Sequence, residues 1–119
     1  MTNEEVFAMS FTNVYNCLIA KAERKNKTRH EVNELTSWLT GYSIDEIESL
    51  ITQDPAYGDF FRNAPELNEK RDNIAGSICG VKIAEIEDPL MKLIRQEDKL
   101  IDELAKGKTV EKILVKYEK

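Results

Sequence analysis

The sequence predicts an all-α protein that forms one compact domain over residues 1–119. A chain of 119 residues has room for one hydrophobic core. Glycine and proline together account for only 8 of the 119 residues, so turns are few. Apolar residues recur at intervals of three and four, the period of an amphipathic helix, and no comparable stretch alternates as a strand would. We therefore expect about five or six helices joined by short turns marked by Gly or Pro.

Apolar spacing and a capping sequence define the first two helices. The apolar residues of one helical face predict a helix over about residues 10–25. Thr28, followed three residues later by Glu31, forms a capping box whose side chains satisfy free amides at a helix start. This second helix is expected to end at Gly41, because glycine readily takes the left-handed conformation found at helix ends.

Two shorter helical segments are expected next. Ser43 and Glu46 form a second capping box, which opens a helix that ends before Asp54-Pro55. An aromatic cluster that includes the Phe60-Phe61 pair predicts another helical turn, and Ala64-Pro65 ends it.

The stretch from Asn68 to Gly80 is predicted to form a further helix. Asn68 can cap its start, isoleucines follow at a spacing of four, and Gly80 can end it. Gly76 opposes this prediction, because an internal glycine costs about 1 kcal/mol relative to alanine. The one candidate strand, Val81-Lys82-Ile83, is too short to carry a sheet.

The last part of the chain predicts a long helix and a short one. Asp88-Pro89 is a strong helix start, with Asp as the cap and Pro at the first position, and the apolar pattern continues to Gly107. Thr109 can cap the final helix. The core is expected to contain Trp38, the Phe60-Phe61 pair and the helix over residues 89–106.

Charge and cysteine usage predict a soluble, cytoplasmic protein. Seventeen Lys and Arg against 22 Asp and Glu give a net charge of −5, the wrong overall sign for a chain whose main partner is a polyphosphate. The first 20 residues carry Glu4 and Glu5 and lack the features of a signal peptide. No apolar run approaches the roughly 18 residues of a membrane span, so no membrane association is expected. Cys17 and Cys79 are too few and too far apart for a disulfide scaffold.

A basic segment over residues 21–30 is the main candidate for contacts with nucleic acid. Five cationic side chains and one carboxylate give it a net charge of about +4, which phosphate binding requires. The C-terminal helix adds lysines. A charge run at a helix end is also typical of a solvated loop, and no aromatic residue interleaves this one for base stacking. The candidate contacts are Lys21, Arg24, Lys25, Lys27, Arg29, Lys112 and Lys116.

The sequence carries no catalytic or metal-binding signature. His30 is the single histidine, and its place in the first turn of a helix favours a solvated surface position. Cys79 is expected near a helix carboxyl end, the wrong end for an activated thiol. Asp98 and Asp102 could share a cation, but the neighbouring Arg95 favours surface ion pairs instead. We therefore expect no cofactor and no metal.

Five short segments, taken in order, resemble a known family over nearly the whole chain. They are Trp38-Leu39-Thr40-Gly41-Tyr42, Ile78-Cys79-Gly80-Val81, Ile86-Glu87-Asp88-Pro89-Leu90-Met91, Asp98-Lys99-Leu100 and Asp102-Glu103-Leu104-Ala105-Lys106-Gly107-Lys108. The family is the group of small bacterial proteins known as domain of unknown function 2200. Members often have a proline after the asparagine of a Pro-x-Leu-Asn segment, where this chain has Glu69. The resemblance implies a bacterial cytoplasmic protein and brings no activity, cofactor or catalytic residue.

Three functions stay open from the sequence. The first is a non-enzymatic module that binds a protein partner or a second copy, because no nucleophile, base and orienting group can be assembled. An exposed apolar patch of more than a few hundred Å² would favour it. The second is nucleic-acid binding through residues 21–30 and the Lys-rich C-terminal helix. The third is a small-molecule binder or enzyme with an internal pocket lined by Tyr42, Tyr57 and acidic groups.

Overall fold

The computed structural model describes residues 2–118, which form helices around one core. The two strands are only two residues long, so the all-α prediction is confirmed. The α-helices within these residues are α1 Asn3–Phe7, α2 Phe11–Glu23, α3 Arg29–Thr40, α4 Ile44–Gln53, α5 Tyr57–Arg62, α6 Pro89–Ala105 and α7 Val110–Tyr117. The remaining elements are β1 Ser77–Ile78, β2 Val81–Lys82 and 3-10 helices at Glu69–Asn73 and Ile83–Glu85.

The helix starts predicted from the sequence are confirmed by their caps. The Thr28 and Ser43 hydroxyls each accept a hydrogen bond from the amide three residues on, and Glu31 and Glu46 bond back to the cap amides. The Asp88 carboxylate accepts from two amides in the first turn of α6. These ends therefore depend on residues within one turn of each start.

Helix α6 is the centre of the packing. Its Leu100, Ile101 and Leu104 side chains are fully buried, and α2, α3, α5 and α7 all lie against it. An aromatic stack joins α2 to α5, with the rings of Phe11 and Phe60 4.1 Å apart between centroids. Such stacked rings add to the stability that apolar burial already supplies.

The prediction that Trp38 lies in the core is wrong. Phe60 and Phe61 are buried as expected, whereas Trp38 is only partly buried and packs against the edge of the core. The indole N–H explains this position, because a buried donor needs a partner and Trp38 reaches the exposed Glu118 carboxylate from the edge.

The prediction of a helix from Asn68 to Gly80 is also wrong. The segment forms a 3-10 helix over Glu69–Asn73 and then a hairpin in which Ile78 pairs with Val81. Cys79 and Gly80 both have positive φ, 54° and 77°, as a two-residue hairpin turn of type I′ requires. Gly80 therefore forms the turn of a hairpin, and the 3-10 helix has already ended at Asn73. Helix α1, which begins after a capping box at Thr2, was not predicted.

The end of α3 brings a distant loop close to the helix. Gly41 has φ +82°, and a Cβ at this position would lie 2.6 Å from the carbonyl oxygen of Glu66. The Glu66 amide donates to Thr40 O at 3.1 Å, and the Asn68 amide donates to Leu39 O at 3.0 Å. Glycine therefore permits a backbone approach that a side chain would block.

Candidate functional site

The carboxyl ends of α2 and α6 lie at the same end of the molecule. Val14 of α2 and Ile94 of α6 line one cavity, and further along both helices Lys21 Nζ lies 3.1 Å from Asp102 Oδ1, so the helices run parallel. Lys106 Nζ lies 3.0 Å from the other oxygen of Asp102. Burial opposes ionisation of Asp102, but the two lysines outweigh it and hold its pKa below the ordinary value.

The next residue of α6 binds the lysines of the C-terminal region. Glu103 Oε1 lies 2.7 Å from Lys108 Nζ and 2.9 Å from Lys116 Nζ. The Tyr117 hydroxyl donates to the other oxygen. Burial raises the pKa of Glu103, but these hydrogen bonds outweigh it and the net shift is downward. Residues 21–30 and 102–116 therefore meet at one end of the molecule, which we call the basic end.

The basic end differs in charge from the rest of the chain. Its two segments contain nine Lys and Arg and four Asp and Glu, a formal charge of +5 in a protein of net charge −5. The remaining residues contain eight Lys and Arg and 18 Asp and Glu, a formal charge of −10. The two segments of the basic end are thus positive in an otherwise acidic chain, and they can attract an anion that the chain as a whole would repel.

The candidate nucleic-acid contacts fall into two groups at this end. Those that form ion pairs with carboxylates are Lys21, Arg29 and Lys116. Arg24, Lys25 and Lys112 are exposed, and within residues 2–118 they form no ion pair; Lys27 is partly buried and likewise has none. Their role as contacts stays a prediction.

A chain of polar side chains runs from the surface into the core between α2, α3 and α6. Its outer members are Arg29 and Glu48, an ion pair with Nε 2.8 Å from Oε2. Asn33 Nδ2 donates to the same Glu48 oxygen at 2.7 Å, and the Tyr15 hydroxyl donates to Asn33 Oδ1 at 2.7 Å. The chain then reaches Thr36, whose Oγ1 is 3.0 Å from the Tyr15 hydroxyl.

Glu97 is the innermost member of this series of hydrogen-bonded polar side chains. Its side chain is fully buried, and Oε2 lies 2.8 Å from Thr36 Oγ1. Oε1 has no hydrogen-bond partner among the described residues. Burial raises the pKa of Glu97 to about 8, with the hydrogen bond from Thr36 opposing the shift and Asp98 adding to it. The carboxyl group is therefore mostly protonated at neutral pH.

A neutral Glu97 also fits the hydrogen-bond geometry. Thr36 Oγ1 lies within 3.0 Å of three oxygens, which belong to Val32, Tyr15 and Glu97. The threonine hydroxyl has one proton, and Tyr15 uses its own proton on Asn33. When Glu97 is protonated, its own proton can serve the contact with Thr36, and the threonine proton is then available for Val32 O.

The two tyrosines predicted to share an internal pocket lie in different places. The Tyr42 hydroxyl donates to Phe60 O at 2.7 Å, and the Tyr42 ring lines a cavity of about 310 Å³. Tyr57 lines another cavity, of about 220 Å³, beside Arg95 and Asp98. Its hydroxyl is buried without a partner in the described part of the chain, and burial raises its pKa well above the usual value, with Glu97 and Asp98 adding to the shift.

Comparison with known proteins gives a family. A family model described as "Uncharacterized protein conserved in bacteria (DUF2200)" matches residues 5–115. The chain belongs to this family. The resemblance found in the sequence motifs is thereby confirmed. Among solved structures, the chain is similar to the uncharacterized protein SP1917, with 50% identity, a TM-score of 0.96, and coverage of 99% of this chain and 97% of that one. No curated protein matches.

The thiols and the histidine of this DUF2200 protein lie at the surface. Cys17 and Cys79 are free and exposed. His30 is 68% exposed, and its Nε2 lies 3.4 Å from Glu34. The described residues contain no group of three His, Cys, Asp or Glu side chains placed to hold a metal ion. Over the same residues, no helix combines the length and the apolar character that crossing a membrane requires.

Proposed function

We propose that this DUF2200 protein binds nucleic acid through its basic end and catalyses no reaction. One observation carries the proposal: two basic segments that are far apart in the sequence meet at the shared carboxyl ends of α2 and α6. Binding of a phosphate backbone releases counterions in proportion to the cations that contact it, so a concentrated cluster favours such a partner.

The ion pairs at the basic end leave it positively charged. Asp102 and Glu103 each serve two lysines, so two carboxylates face four ammonium groups. The side chains of Lys106 and Lys116 are 69% and 53% exposed, and a phosphate can approach both. The carboxyl ends of α2 and α6 take up part of this charge through their dipoles.

The binding that we propose is independent of nucleotide sequence. The helix that follows the turn at Gly107 has lysines but no Arg, Asn or Gln, the side chains that read base edges in the major groove. Lysine contacts to phosphate position a protein on the backbone and carry no sequence information.

The other two functions have less structural support. Among residues 2–118 the exposed large apolar side chains are Met9, Val81 and Val115, which lie on three different segments and give a protein partner little apolar surface. Glu97 has the most perturbed carboxyl group, but its complete burial gives a substrate no access. A cytoplasmic location fits two exposed, free thiols, which a reducing compartment preserves.

Fluorescence anisotropy with labelled 20-nucleotide duplex and single-stranded DNA tests the proposal. We expect binding at 50 mM salt whose affinity falls steeply with added salt. The variant Arg24→Gln/Lys25→Gln/Lys112→Gln is expected to bind at least tenfold more weakly, with a salt slope smaller by about 2–3 because three phosphate contacts are lost.

The control variant is Arg62→Gln/Lys70→Gln/Lys82→Gln, which removes the same charge from exposed positions outside the basic end. Its affinity should stay close to that of the unmodified protein. Absent or salt-independent binding, or equal losses in both variants, would refute the proposal. Equally tight binding of poly-glutamate would indicate an acidic protein surface as the partner instead.

A further inference from the structure

A second concave site lies where α3 ends. It is a cavity of about 470 Å³ between the end of α3, the loop after α5 and the end of α7. We call it the Trp38 cleft. Its chemically relevant lining residues are Trp38, Leu67, Glu66, Glu69, Glu118 and Lys70.

The backbone around the Trp38 cleft is held in place. Asn68 Nδ2 donates to Trp38 O at 3.1 Å, in addition to the amide hydrogen bonds that join Glu66 and Asn68 to the end of α3. Gly41 allows this close contact, as described above. Because these walls are already joined, a ligand would not have to order them on binding, which favours affinity.

The side chains of the cleft are complementary to an organic cation. The indole of Trp38 is only partly buried, and tryptophan is the aromatic side chain that attracts cations most strongly. Its N–H donates to the Glu118 carboxylate, which keeps that carboxylate beside the ring. Among residues 2–118, three carboxylates and one lysine line the cleft, so these side chains give it a negative charge.

The number of carboxylates and the two apolar side chains, Trp38 and Leu67, narrow the class of ligand. A single ammonium group would pair with one carboxylate and leave the others unpaired, whereas several ammonium groups can pair with several carboxylates. Methylene segments between them would pack on the indole and on Leu67. We propose that the Trp38 cleft binds an aliphatic polyamine. The lining residues of the cleft lie outside residues 21–30 and 102–116, so either proposal can fail without the other.

Tryptophan fluorescence of the full chain tests this proposal, because Trp38 is the single tryptophan. The probe is spermidine, added at constant ionic strength, with propylamine and Mg²⁺ as comparisons. We expect spermidine to cause a saturable change of emission. Propylamine and Mg²⁺, added at the same total concentration of positive charge, should not reproduce this change. The variant Glu66→Gln/Glu69→Gln should weaken the apparent affinity at least tenfold.

The control variant is Glu23→Gln/Glu111→Gln, which removes two exposed carboxylates that do not line the cleft. It should titrate like the unmodified protein. Within residues 2–118 none of these four glutamates uses its side chain in a hydrogen bond, so both variants are expected to fold, and thermal melts would verify it. A flat or non-saturating titration, equal effects of the two variants, or an equal response to Mg²⁺ would overturn the proposal.

Discussion

The carboxyl group of Glu97 lies in the apolar interior and forms no ion pair among the described residues. A buried carboxylate without an ion-pair partner is costly, and the protein avoids that cost by keeping the group protonated. The sequence contained a signal that Glu97 is buried. Glu97 lies three residues after Ile94 and three before Leu100, within the apolar stripe of α6. Charge in such a stripe indicates a buried ionisable group, although only the structure shows that Thr36 and Tyr15 surround it.

Glu97→Gln is expected to make the protein more stable at pH 8 and to remove a pH dependence. The pKa of this group is about 8 in the folded protein and 4.5 unperturbed, so the folded state keeps a proton that the unfolded chain loses above pH 4.5. The stability that this retained proton contributes is fully present below pH 4.5. It is lost as the pH rises toward 8, the pKa in the folded protein. Between these two pH values the free energy of unfolding falls by about 4–5 kcal/mol, because each pH unit costs ~1.4 kcal/mol.

Urea unfolding of both proteins at pH 5, 6.5 and 8 checks this prediction. The difference between the two stabilities should grow with pH, since glutamine does not ionise. Groups with a lowered pKa, such as Glu48 and Asp54, reduce the stability of the protein only when acid protonates them. Both proteins contain these groups, so their effect cancels in the difference between the two stabilities. Parallel stability curves would show that Glu97 does not titrate in this range.

At the scale of elements, local signals decided what the sequence could predict. Helices with a capping box or an Asp-Pro start were found, because those signals lie within one turn. The hairpin at Cys79-Gly80 was not predicted, because the spacing of isoleucines alone does not distinguish a helix from a short pair of strands. The contact of Gly41 with the loop at Glu66 was also invisible, because a glycine at a helix end serves as a cap whether or not another segment covers it.

Gly41→Ala is expected to destabilise the protein more than Gly80→Ala does. Both glycines have similar positive φ, +82° and +77°, so alanine pays a similar conformational cost of about 1 kcal/mol at each. At Gly41 the new Cβ would also meet the backbone of Glu66 at 2.6 Å, whereas nothing lies within 4 Å at Gly80. The expected total for Gly41→Ala is about 2–3 kcal/mol.

Guanidinium chloride unfolding of the two glycine variants measures the difference directly. Equal losses of stability would mean that the loop at Glu66 moves away without cost. In that case the Trp38 cleft would not be rigid, and a ligand would have to order it on binding.

At the scale of the whole molecule, the candidate site arises from the arrangement of helices. Each basic segment was visible in the sequence, and so were most of its lysines. Their meeting depends on α2 and α6 running parallel, which no residue pattern specified. The sequence predicted surface ion pairs for Asp102, but no pattern marked Glu103 as the partner of Lys108 and Lys116. Net charge alone, at −5, argued against the very partner that the separated charges favour.

If the charge of the basic end controls DNA binding, the effect of removing one carboxylate on the affinity should depend on where that carboxylate lies. Asp102→Asn removes a carboxylate from the basic end and frees Lys21 and Lys106. Glu87→Gln removes an exposed carboxylate just before α6 begins. Asp102 lies about 20 Å along the helix from that start, at about 1.5 Å per residue. This separation exceeds two screening lengths of about 8 Å at 0.15 M salt.

We therefore expect Asp102→Asn to tighten DNA binding about two- to fivefold at 0.15 M salt and Glu87→Gln to change it by less than about 1.5-fold. Both variants have the same net charge, so the comparison isolates position. Anisotropy titrations at 0.05 and 0.15 M salt measure it. Equal gains would show that the anion responds to the charge of the whole molecule, and the basic end would lose its special role. A gain confined to Asp102→Asn would mean that the carboxylates ordering the lysines also limit the affinity of the surface they build.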